Sequence, residues 1–340
     1  MKQNFHTVLF LLITVSFSVF AGGAKESNPP RNEELVIWTY DSFVSEWGPG
    51  PAAEKIFEAE TGIPVRFVVL GDAGTLLSRL LFEKEHIDAD IILGIYQNMM
   101  QKAIDTGLLE SYVSQNTANL LPETIVDPEF RVIPFDYSYF AIIYDSEKIS
   151  TPPKSLEDLT KAEFADKFIF MDPRTSSPGL GFLAWTQEAY GNEWLDYWKR
   201  LAPSLLTIAD GWSNAYGLFT AGEAPLVLSY TTSPGVHLLS EGTERYQAAI
   251  FESGHPVQIE LAAILSNAKN KEGAKRFIDF MLTPAFQELI PETNWMYPVI
   301  DIPLPESFRI NPKSETTLHP KAPSDDDLDA WTQVMAGANR

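Results

Sequence analysis

Residues 38–50 read WTYDSFVSEWGPG and follow a short apolar run, Leu35-Val36-Ile37. The run, bounded by polar residues, predicts a buried strand. Where it stops, the chain sets out Trp38, Tyr40, Asp41, Ser42 and Trp47, and then Gly48-Pro49-Gly50. A strand that ends in aromatics and a carboxylate, then turns into a helix, places ligand contacts at the carboxyl edge of an open α/β sheet. Aromatic faces beside a carboxylate suit an organic cation, through cation–π attraction and a counter-charge. A second reading makes Trp38 and Tyr40 core residues and Asp41 a helix cap. On this stretch alone the two stand level.

Outward from it, short apolar runs alternate with amphipathic segments, which predicts α/β layers. Strands are expected at 65–70, 89–93, 168–171, 226–230 and 259–265, with helices at 75–85, 99–106, 215–221 and 271–282. Ser155, with an acid three residues on, marks a helix start of capping-box type. Residues 131–144, RVIPFDYSYFAIIY, form a long aromatic strand broken by Pro134, long enough to pass between two domains. No internal repeat interrupts the pattern, and two α/β lobes are the economical arrangement.

The composition narrows the function. A chain of 340 residues with 45% hydrophobic content buries more than one core. A formal net charge of -21 argues against nucleic acid and anionic membrane surfaces. The absence of cysteine removes disulfides, thiolate metal sites, catalytic thiols and a lipid-anchored N-terminal cysteine. Lys2, the apolar residues 8–20 and the small residues at Val19 and Ala21 form a signal peptide, 1–21, cleaved after Ala21. A membrane span takes ~20 apolar residues, more than this run has. Residues 22–32, rich in Gly, Pro and Ser, form a flexible leader.

Five further stretches put polar or aromatic residues just past an apolar run. In Gly71-Asp72-Ala73-Gly74, Asp72 caps a helix or faces a ligand, and one residue can do both. In DPRTSSPGLG, 172–181, Ser177 is placed as N-cap and Pro178 at the first helical position. Free backbone N–H groups there, with the hydroxyls of Thr175, Ser176 and Ser177, form an oxyanion or phosphate cradle. Three hydroxyls exceed what one cap requires, which favours the cradle over a merely well-capped helix. Trp212 and Ser213 open another helix in GWSNAY, Tyr230 ends a strand in SYTTSP, and Trp295 and Tyr297 share a loop in NWMYP. For any single aromatic the core is the better assignment. Four such loops together favour a shared aromatic cleft. His6, His86, His237, His255 and His319 are scattered, without metal-ligand spacing or a nearby nucleophile motif. Surface or capping roles are expected for them, with no catalytic residue and no metal.

With these stretches in view, the chain resembles the periplasmic thiamine-binding proteins, the substrate-binding components of thiamine ABC importers. TYDSF…WGPGP, ADIILG, PFDYSYFA, DPRTSSPGLG, GWSNAYGLF, LSYTTSP and NWMYPV stand in that family's order and spacing. More distantly it looks like the iron-, polyamine- and maltose-binding proteins of the same two-lobed class. The resemblance implies the type II periplasmic-binding-protein fold, an α/β fold of two lobes, each a mixed sheet flanked by helices, hinged on two crossing segments. Lobe I is expected at 33–133 plus 254–290 and lobe II at 134–253 plus 291–340, with crossings near Ile133-Pro134 and at 253–257. The implied ligand is thiamine, its monophosphate or its diphosphate, with no further cofactor. The implied partner is the importer's membrane permease, and the expected state is a periplasmic monomer.

Carried onto this chain, the resemblance makes Tyr40, Trp47, Asp72, Ser176, Trp212, Tyr230 and Trp295 contacts. Asp41, Ser42 and Asp72 are suited to the aminopyrimidine, and the cradle at Thr175, Ser176 and Ser177 to a phosphate. One departure stands out: where family members carry a tyrosine before the histidine, this chain has Gly235-Val236-His237. Three rival functions fit the chain less well. Polyamine binders space carboxylates for several amines, whereas aromatics dominate here. Ferric binders of the class present adjacent tyrosines, whereas Tyr137 and Tyr139 are separated by Ser138. Type I thiaminase resembles these proteins but uses a cysteine nucleophile, which this chain lacks.

Overall fold

The computed structural model describes residues 34–338; the expected signal peptide (1–21) and leader (22–32) lie outside them. The strands are β1 (Leu35–Thr39), β2 (Val65–Val69), β3 (Ile91–Tyr96), β4 (Leu109–Glu110), β5 (Ile133–Asp145) and β6 (Phe168–Met171). They continue with β7 (Leu205–Ala209), β8 (Leu226–Tyr230), β9 (Tyr246–Ala249), β10 (His255–Leu265), β11 (Tyr297–Pro298) and β12 (Thr317–Leu318). Between them run α1 (Gly50–Thr61), α2 (Ala73–Glu83), α3 (Gln97–Ile104), α4 (Ser177–Tyr190), α5 (Trp194–Leu201) and α6 (Trp212–Thr220). The last helices are α7 (Ser233–Glu241), α8 (Lys271–Met281), α9 (Pro284–Gln287), α10 (Ile290–Thr293) and α11 (Asp325–Ala338).

The main strands order as β2-β1-β3-β10-β5-β8-β6-β7. At one end β1 pairs in parallel with β2 and β3; at the other, β6 pairs in parallel with β7 and β8. The antiparallel β10 and β5 join the two ends. Strand β5 pairs with β10 from Ile133 to Tyr139 and with β8 from Phe140 onward. Pro134 is tolerated because the register with β10 slips between Glu260 and Leu261, where a ladder hydrogen bond is lost anyway.

Strand β1 is buried along its whole length, as parallel strands covered by helices on both faces are. Its side chains alternate: Val36 and Trp38 enter one apolar core, Leu35 and Ile37 the other. Trp38 is therefore core, as the second reading of the opening stretch had it. The first core continues through Phe168, Phe170, Phe182 and Trp198, where Trp331 of α11 packs against Phe170 and Trp198. The second gathers Phe43, Phe57, Phe135, Phe277 and Phe280.

Several expected boundaries move. Helix α6 begins at Trp212 rather than 215, and β3 lies at Ile91–Tyr96 rather than 89–93. Ser155 does accept from the Asp158 amide, but only a 3-10 turn, Glu157–Thr160, follows. Leu156 and Leu159, one turn apart, reach the core, and the chain then turns extended at Lys161. No helix among the described residues is long and apolar enough to cross a membrane.

Candidate ligand-binding cleft

The end of β1 delivers Tyr40 to the cleft wall, and β3 makes room for it. Gly94 has φ +105 and its Cα faces the Tyr40 ring so closely that a Cβ there would collide with it; only glycine fits both demands. The Tyr40 hydroxyl donates to Glu260 Oε2 at 2.7 Å and accepts from Asn294 Nδ2 at 2.9 Å. Burial, and then the charges of Glu260 and Asp136, hold the phenol well above its ordinary pKa, so it remains a donor.

Asp72 does two jobs. One carboxylate oxygen caps α2 through the Ala73 amide at 2.6 Å; the other accepts from the Trp212 amide at 3.0 Å, at the start of α6. A single acid thus answers the positive ends of two helices from opposite sides of the cleft. Burial raises its pKa, while the amide of Trp212 and the nearby hydroxyl of Ser176 pull it back. Asp41 makes a second link, accepting from the Ser42 amide at 2.6 Å and from Ser213 Oγ at 2.9 Å.

The aromatic walls are braced from behind. Trp212 stacks on Tyr216 with centroids 4.9 Å apart, and its Nε1 donates to Ser229 Oγ at 2.9 Å. Tyr216 in turn meets His237 Nε2 at 2.9 Å. Tyr230 stacks on Phe140 at 5.5 Å and accepts from Gln258 Nε2 at 2.9 Å. Trp47 is 48% exposed, too open for a core residue, and meets the Trp212 ring edge-on at 6.2 Å. Trp295 sits at φ +57, a left-handed conformation that costs a non-glycine residue about 1–2 kcal/mol. On its N-terminal side Asn294 is tied to Asp136 at 2.5 Å and to Tyr40, which holds the strained backbone in place.

These elements enclose a cavity of about 590 Å³, its open mouth included, walled by Tyr40, Asp41, Ser42, Trp47, Asp72 and Ser177 and closed by Trp212, Tyr230 and Trp295. An outer cavity of about 1380 Å³ shares Trp47, Trp212, Val236 and Trp295 with it and adds Ser45, Ser213 and Ser240. Thr175 and Ser176 do not line either one. Thr175 donates its hydroxyl to the Asp210 carbonyl at 2.6 Å. Ser176 is fully buried, with its hydroxyl set beside the Asp72 carboxylate. The N-cap of α4 is Ser176 rather than Ser177, and no side-chain oxygen caps that helix. Of the expected three-hydroxyl cradle, only Ser177 reaches the cavity.

Glu260, Asn294, Ser233 and Met296 line the cavity without having been expected there. Glu260 was legible as a lone acid inside an apolar strand, ELAAIL; Asn294 and Met296 adjoin Trp295 and needed only a wider window. Two histidines also depart from their expected surface roles. His237 is buried between Tyr216 and Glu241, and His255 lies in the core, bonded to the Phe140 carbonyl at 2.7 Å and the Phe251 amide at 2.8 Å. Each has both ring nitrogens engaged by the protein, and burial lowers both pKa values.

Chemically, five aromatic side chains and the carboxyls of Asp41, Asp72 and Glu260 face the inner cavity, and no Lys or Arg lines it. Such a wall suits a flat cation: the ring faces attract it and the acids supply counter-charge at low dielectric.

The chain matches the family described as bacterial extracellular solute-binding protein over residues 88–329. It is 46% identical over 310 residues to the thiamine-binding periplasmic protein of Brucella abortus, covering 91% of this chain and 92% of the relative. It is 45% identical over 285 residues to the protein of the same name from Escherichia coli, covering 84% and 86%. A solved periplasmic thiamin binding protein superposes with a TM-score of 0.85 at 41% identity, covering 89% of this chain and 96% of that one. The architecture is accordingly the two-lobed type II periplasmic-binding-protein fold. The chain belongs to the bacterial extracellular solute-binding proteins and, within them, to the thiamine-binding periplasmic family.

Proposed function

We propose that this protein is a periplasmic receptor that captures thiamine and its phosphate esters and delivers them to the membrane permease of an ABC importer. The observation that carries the reading is the cavity wall: Trp47, Trp212, Tyr230 and Trp295 around the acids Asp72 and Glu260, with no basic side chain. A permanently positive thiazolium gains about 0.5–2 kcal/mol from each ring face it meets. An ester's phosphate would lie toward Ser177 and the free amides at the start of α4. The names of the relatives support the same ligand and compartment.

The finer points belong to the same proposal. The protein acts by binding, as a monomer without a cofactor, after cleavage behind Ala21. The lobes divide near the expected 33–133 plus 254–290 and 134–253 plus 291–340. The change of partner strand favours a first crossing at Tyr139-Phe140 rather than Ile133-Pro134. Calorimetry of the mature protein, refolded free of ligand, tests the ligand against thiamine, its monophosphate, its diphosphate and spermidine. Thiamine should bind and spermidine should not; binding of spermidine without a response to thiamine would overturn the reading.

A further inference from the structure

Behind the aromatic wall lies a set of acids that no cation answers. Glu260 of β10 stands directly opposite Asp136 of β5 and opposite Tyr96 of β3 in the sheet register. Side chains at opposed positions lie close together, and like charges there repel. Asp136 is fully buried, Glu260 nearly so, and neither forms an ion pair among the described residues. Every group facing Glu260 is acidic or neutral. Tyr40 donates to one of its oxygens at 2.7 Å and Gln258 to the other at 2.8 Å. Tyr230 shares Gln258, Asp72 approaches from the start of α2, and Asn294 links Tyr40 to Asp136. The second oxygen of Asp136, Oδ1, is buried with no hydrogen-bond partner, an arrangement that an ionised carboxylate tolerates poorly. Of these two opposed acids, Glu260 lines the cavity.

We propose that Glu260 is the group that reads the ligand's positive charge, and that the Glu260–Asp136 pair releases a proton to solvent as the cation enters. This rests on the reading above that the ligand is a cation. The charge balances: below about pH 7 the free site holds a proton on each of its two opposed acids, and the bound site gives up the one on Glu260 in exchange for the cation while Asp136 keeps its own. Asp136, held well above the ordinary carboxylate range by burial and then by the charge of Glu260, keeps its proton while Glu260 ionises. Burial foremost, with the repulsion of Asp72 against the bonds from Tyr40 and Gln258, pushes Glu260 up to about 7, so the exchange falls in the neutral range. Binding then tightens as pH rises toward that value, approaching tenfold per unit where a whole proton is released, and levels off above it.

The test is calorimetry with thiamine between about pH 6 and pH 8, in two buffers of different ionisation enthalpy, which counts protons released on binding. Wild type should release close to one proton at the acid end and little at the alkaline end. Glu260→Gln should bind more weakly, release none, and show a flat pH profile. Asp136→Asn should keep the release at nearly the same pH, because Asp136 holds its proton through this window and is neutral in both states. Thiamine binding by wild type with no proton released would overturn the proposal by itself, as would an unchanged release from Glu260→Gln. A wild-type protein that ignores thiamine altogether would instead sink the ligand reading, and this inference with it.

Discussion

Replacing Gly74 by alanine should weaken ligand binding while leaving the ligand-free protein folded. Gly74 lies in the first turn of α2, and a Cβ added there would sit 2.5 Å from both the carbonyl carbon and oxygen of Thr175, across the cleft. Ordinary carbon contacts begin near 3.5 Å, so the two faces must part by about 1 Å. A shift of that size stretches the bond from the Trp212 amide to Asp72, now 3.0 Å, beyond hydrogen-bond reach. Losing a bond to a charged group costs about 1.5–3 kcal/mol, which is roughly 10–150-fold in affinity if the closed cleft is the binding form. Alanine is meanwhile the better helix residue by about 0.5–1 kcal/mol, so the melting temperature of the ligand-free variant should hold or rise. Calorimetry with thiamine and thermal unfolding of the same sample measure both quantities. Unchanged affinity would refute the reasoning, because the faces would not need to meet. Loss of several kcal/mol of stability would refute it too, since the contact would then be permanent core.

Two further outcomes follow from the same geometry. Trp295→Ala and Trp295→Gly should both lose about 0.5–2 kcal/mol of binding, while the glycine variant melts above the alanine one because φ +57 no longer strains it; unfolding of both would place that tryptophan in the core. Glu260 has a folded pKa raised above its ordinary 4.5 to about 7, so the folded state binds more protons between those values and stability falls as pH rises through that window. The ligand-free protein should therefore lose on the order of 1–3 kcal/mol between pH 5 and pH 8, and Glu260→Gln should flatten that slope; an identical slope in the variant would contradict the assignment.

Much of this molecule is legible in its sequence because local chemistry and tertiary role agree. The run LVIWT is apolar on both faces, and both faces meet a core. LVLSY at 226–230 is bounded by turn residues and forms a strand of that length. The cleft aromatics are legible because each stands at or just past the end of an element. Agreement fails where a residue's partner is remote in sequence. Asp72 looks like the cap of its own helix, and nothing nearby shows that it also answers Trp212. Gly94 reads as a flaw in a strand until the Tyr40 ring is set against it. Ser176 and Thr175 carry the right hydroxyls, but Ser176 is buried beside Asp72 and Thr175 is taken up by the Asp210 carbonyl. Periodicity also passes over the buried pair of acids, because opposition across two strands is a matter of register.

On the proposed reading, aromatic faces and buried acids hold a positively charged ring inside the closed cleft. The structure of the thiamine complex tests it most directly. The thiazolium should lie within about 6 Å of the ring centroid of Trp295 or Tyr230, over its face, with Glu260 or Asp72 as the nearest charge. A thiazolium in the outer cavity, or rings turned away from it, would contradict the claim.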